Sequence, residues 1–74
     1  MDWTGCELVQ EDDRYVSGAP AFKSHPRVMV EPIVDNLEDG LEPERVAGLY
    51  DVPLNEILVV YEFYKAKMGV PSVL

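Results

Sequence analysis

From Gly40 to Lys67 the apolar residues of this chain recur at three- and four-residue steps, the spacing of a helix face. Val46, Leu49 and Tyr50 make a first stripe, opened by Pro43, whose missing N–H costs nothing at the first helical position. Glu42 and Glu44 set negative charge against that positive helix end. A longer stripe of Leu54, Ile57, Val60, Tyr61, Tyr64 and Met68 starts after Pro53. Asp51 marks the corner between them, because Asp tolerates turn and left-handed geometry, and Ala47 is the small residue where the helices would cross. Two helices joined by so short a corner predict a helix-turn-helix unit. Upstream, Ile33, Val34 and Leu37 line one face of a third predicted helix running from Pro32 to Gly40. Asp35, Glu38 and Asp39 face water there, and Gly40 serves as a left-handed terminator.

The pattern before Pro32 is shorter in period and broken by turn signals. Cys6, Leu8 and Val9, then Ala21-Phe22-Lys23, then Arg27-Val28-Met29-Val30 each predict a short extended piece. Ser17-Gly18-Ala19-Pro20 is a turn, since glycine permits positive φ and the residue before proline avoids the α region. A two-stranded ribbon this small is marginal in water, so it must lie on the helices or on another chain. The expected architecture is mainly α: a three-helix bundle with a helix-turn-helix plus a short N-terminal β arm. Residues 1–30 are the extended arm, 31–68 the helical core and 69–74 a frayed tail, all within a single domain.

Composition narrows the function classes. A chain of 74 residues can build only one small core, and a hydrophobic share of 47% is enough to do so. No apolar run approaches a membrane span, and the acidic start does not read as a signal peptide. The single cysteine, Cys6, excludes an internal disulfide framework and suits a reducing, cytoplasmic location. A net charge of −8 opposes non-specific attraction to phosphate backbones and favours a partner that is basic or that binds through apolar surface. Catalytic chemistry is sparse: His25 has no second His or Cys nearby, and Glu11-Asp12-Asp13 are consecutive and cannot converge on one point. The sequence therefore predicts neither an enzyme nor a metal or cofactor site.

An ordered set of residues does carry a resemblance. Trp3 and Cys6, Ser17-Gly18-Ala19-Pro20, Phe22-Lys23, Arg27-Val28, Ile33-Val34-Asp35-Asn36-Leu37, Asp39-Gly40 and Tyr50-Asp51-Val52-Pro53 run almost end to end. From Asp2 to Lys67 the chain resembles the bacterial family called domain of unknown function 433, grouped with antitoxins of toxin–antitoxin pairs. The resemblance implies a homeodomain-like or winged-helix-like core with an N-terminal strand arm, and a PIN-like nuclease toxin as partner. Two departures stand out. The family's Lys-Gly-Thr-Arg turn is here the longer Lys23-Ser24-His25-Pro26-Arg27, and its Ser or Thr helix cap is Glu42.

The candidate interaction residues follow from the leftover pattern. Val59 and Phe63 fall on a separate apolar stripe of the last helix, one turn apart and framed by Glu56, Glu62 and Lys67. With Trp3 and Phe22 of the arm they are the candidate anchors for a protein partner or a homodimer. For DNA, the outward start of the last helix offers only Asn55 as a common base-edge reader, with Lys23 and Arg27 as candidate phosphate contacts. The sequence thus carries two readings. One is an antitoxin-like module that neutralises a nuclease toxin by direct binding. The other is a DNA-binding autoregulator acting on its own promoter.

Overall fold

The computed structural model describes residues 2–69, so the expectation of a frayed tail falls, Gly69 apart, outside the described residues. Two short strands, β1 (Val9–Gln10) and β2 (Ala21–Phe22), precede three helices, α1 (Val30–Glu38), α2 (Pro43–Tyr50) and α3 (Leu54–Lys67). The strands are antiparallel, with Val9 opposite Phe22 and Gln10 opposite Ala21. The mainly helical class and the small sheet agree with the sequence reading.

The third extended piece does not form. Only Met29 bridges to Ala21, because the next N–H, that of Val30, is directed to the Pro20 carbonyl at 2.9 Å and α1 begins there. The helix therefore starts two residues earlier than Pro32 suggested. Pro32 is tolerated because it lies in the first turn, where backbone N–H groups have no intrahelical acceptor to lose. At its far end Gly40 takes φ +101°, and the Gly40 and Leu41 N–H groups bond to the Leu37 and Asn36 carbonyls. Those two bonds are the paired closure that a left-handed terminator permits.

Asp51 adopts φ 58°, ψ 42° at the end of α2, and its N–H and that of Val52 both reach the Ala47 carbonyl. The corner is then only Asp51-Val52-Pro53 long, and Val52 is buried beneath it. The Ser17-Gly18 turn is tighter than expected, with positive φ at Val16, Ser17 and Gly18. Gly18 takes φ +81°, which favours glycine, and a Cβ there would also displace the Asp13 carboxylate, 2.6 Å away.

One core joins arm and helices. Trp3, Cys6, Val9 and Phe22 from the first 30 residues pack with Val30, Ile33, Val34 and Leu37 of α1, Val46 of α2, and Ile57 and Val60 of α3. The arm is thus folded onto its own helices. Two stripe residues were misassigned. Leu49 is 61% exposed, because Val46, Ala47 and Tyr50 define the inner face of α2, and the Asn36 amide donates to the Tyr50 hydroxyl at 2.9 Å to fix that rotation. Leu49 then points about 100° away from the centre of that face. Met68 has the right angle on α3 but is 53% exposed at the helix end.

The Tyr61 hydroxyl donates to Glu38 across α1 and α3 at 2.5 Å. The hydrogen bond to a carboxylate, followed by partial burial, pushes the phenol up to about 12 from 10.0. A raised phenol stabilises the fold fully below pH 10.0 and loses that contribution as pH climbs toward about 12. Tyr61→Phe is expected to cost about 1 kcal/mol at neutral pH, kept modest by the solvent around the pair. In urea unfolding the gap between wild type and variant should close in strong alkali; a gap of constant size would show the bond to be idle.

Candidate functional site

The outward side of α3 leaves apolar side chains uncovered in the middle of a helix. Leu58 and Val59 are 43% and 50% exposed, although both sit mid-helix. This helix is apolar around most of its circumference, and a chain this size has too few elements to cover all of it. Asn55, Val59 and Phe63 of α3 line an open groove of about 420 Å³ together with Gly5, Cys6, Glu7 and Leu8 of the arm.

The structure separates the four anchor residues expected from the sequence. Phe22 has no exposed surface and Trp3 is 4% exposed, so both are core residues rather than surface anchors of this chain. Their burial follows from the arm's position: β2 lies against the helices, and the Trp3 ring stacks on Phe63 at 5.7 Å and Tyr64 at 6.4 Å. Phe63 is consequently half-covered, roofed by Trp3, with the Gly5 backbone beside it and the Lys67 ammonium 5.5 Å from its ring centre. Val59, one turn earlier, escapes that cover. The stripe is therefore part core and part surface.

The loop from Lys23 to Arg27 has a defined seat. Ser24 Oγ donates to Glu56 at 2.6 Å, which fastens the loop holding Lys23 and Arg27 to the first turn of α3, where Asn55 is exposed. The three candidate nucleic-acid residues therefore sit on two elements tied together, with a carboxylate at the tie. Arg14 is held elsewhere by Asp12 at 2.7 Å, and that guanidinium and the Arg14 N–H bring the Asp12 carboxyl down to about 2.

The same contact brings Glu56 to the adjacent pair Ser24 and His25, 32 residues from Ser24 in the chain. Ser24 Oγ also lies 2.7 Å from His25 Nδ1. The connectivity is not that of a hydrolytic triad. There the imidazole stands between carboxylate and hydroxyl and removes the hydroxyl proton. Here the hydroxyl stands between, donating a hydrogen bond to Glu56 with the imidazole Nδ1 on its other side. The arrangement clamps a loop. Among the described residues, no group of three or more His, Cys, Asp and Glu side chains is placed to hold a metal ion, and no helix is long and apolar enough to cross a membrane.

Comparison of this chain with protein-family models, with curated proteins and with solved structures gives no match.

Proposed function

We propose that this chain is a protein-binding module of the antitoxin type, which neutralises a PIN-like nuclease by covering it with the outward face of α3. The observation that carries the reading is the pair of exposed mid-helix residues Leu58 and Val59 with an open groove beside Val59. In this reading α2, the Asp51 corner and α3 are a helix-turn-helix of homeodomain-like or winged-helix-like kind, used as a rigid scaffold. The working species is a homodimer in the cytoplasm. The family resemblance in the sequence supplies the nuclease as the partner class.

Two substitutions one turn apart test it. Val59→Asp is expected to weaken nuclease binding or self-association at least about tenfold, while changing folding stability by less than about 0.5 kcal/mol. Phe63→Ala should weaken the same association and also cost about 2 kcal/mol of stability, because Trp3 and Gly5 already use that ring in the monomer. Isothermal titration against a co-encoded PIN-like nuclease, sedimentation, and thermal unfolding provide the readouts. Unchanged association by Val59→Asp in both assays would remove the α3 face from the mechanism.

The seat of the Lys23–Arg27 loop beside Asn55 supports a second reading, autoregulatory DNA binding. It calls for salt-sensitive binding to the chain's own promoter that Arg27→Ala abolishes, and none to random duplexes, given the charge of −8.

A further inference from the structure

On the opposite side of the arm from the α3 groove, the start of α1 and the end of α3 border a second cleft. Its volume is about 240 Å³, and it is lined by Trp3, Val34, Tyr64 and Met68 with Glu31 and Asp35 at the rim. Glu31 and Asp35 are four residues apart on α1 and so share one helix face. Both are exposed, and neither has a cation or a hydrogen bond to its side chain among the described residues. The cations at the end of α3 are engaged elsewhere: Lys65 pairs with Glu62 at 2.9 Å, and Lys67 lies over Phe63. Trp3, whose ring lines the cleft, also carries the one buried side-chain polar atom of the described residues without a partner, Nε1.

We propose that this cleft receives an arginine side chain presented on an extended peptide segment of a partner. Each part of the cleft matches one part of that ligand. The aromatic and thioether surface of Trp3, Tyr64 and Met68 suits the flat guanidinium and its aliphatic stem. The Glu31 and Asp35 carboxylates accept its N–H groups in charge-assisted bonds. The charge of −8 draws such a ligand from solution. A hard divalent cation is a poor alternative, because it needs six or more oxygen ligands and this cleft is floored by carbon. The inference goes beyond the α3-face reading and does not depend on it, since the two surfaces share no residue.

The test uses the whole chain labelled with ¹⁵N and the probe acetyl-Gly-Leu-Arg-Leu-Gly-amide, with a control peptide carrying neutral citrulline in place of arginine. Trp3 is the single tryptophan, so its indole N–H is one resolved resonance. The arginine peptide is expected to shift that resonance, together with the amides of the first two turns of α1, in a saturable titration. Citrulline in the peptide, or Glu31→Gln with Asp35→Asn in the protein, should each weaken binding about tenfold or more, the loss of roughly one charge-assisted interaction. Equal binding of the citrulline peptide would overturn the proposal. So would shifts confined to Asn55, Val59 and Phe63, or no saturable shift at millimolar peptide. Loss of nuclease binding in Val59→Asp with the Trp3 titration intact would separate the two surfaces.

Discussion

Trp3→Ala is expected to cost about 3–5 kcal/mol of folding stability, most of what a domain of this size possesses. The ring is 4% exposed and lies over both Phe63 and Tyr64, so its loss opens a cavity that the short arm cannot close by collapsing. The damage propagates, because Phe63 and the Gly5 backbone depend on the same contact. Trp3→Phe should lose far less: it keeps a ring in the stack and removes an N–H that has no acceptor. Urea unfolding at several protein concentrations measures both. A loss that grows on dilution would mean that Trp3 stabilises an association rather than the monomer; a loss under about 1 kcal/mol would mean that the arm does not hold the fold.

Phe22→Ala is expected to have a similar cost, about 3–5 kcal/mol, by a different route. Phe22 has no exposed surface and sits where the two-residue ladder meets the helical core. Its N–H bonds to the Val28 carbonyl at 3.1 Å and its carbonyl accepts from the His25 N–H at 3.2 Å, so the side chain anchors the loop that reaches Glu56. Removing the ring should loosen that loop along with the core. The signature is concentration-independent thermal destabilisation with early hydrogen exchange at the His25 and Val28 amides. Protection at those amides equal to the wild type would leave Phe22 as a filler of volume only.

Both residues had been read from the sequence as candidate surface anchors, and the reason for the difference is physical. An aromatic residue in an arm of short extended pieces carries no periodic signal, so nothing in its neighbours says which side is inside. Ile33, Val34 and Leu37 do carry that signal, and all three are buried as their spacing predicts. Leu49 shows the limit of the method even on a helix. Its angle lies at the edge of the stripe, and the Asn36–Tyr50 bond, a contact between separate helices, decided which edge turns inward.

What the sequence determined by itself is local: the three helices, the terminator at Gly40, the corner at Asp51, the strand at Ala21-Phe22 and the turn at Gly18. Each follows from a residue's own backbone preference or from spacing within one element. The sequence also showed that α3 has more apolar faces than a small core can cover. Tertiary structure decided which of them stays open. The arm crosses α3 at Phe63 and stops short of Val59, so neighbours in one stripe end on opposite sides of the surface. The same crossing brings Trp3 beside Glu31 and Asp35, and the loop bond brings Ser24 to Glu56. These juxtapositions join residues about thirty apart in the chain, and no local preference encodes them; they exist only once the arm has packed.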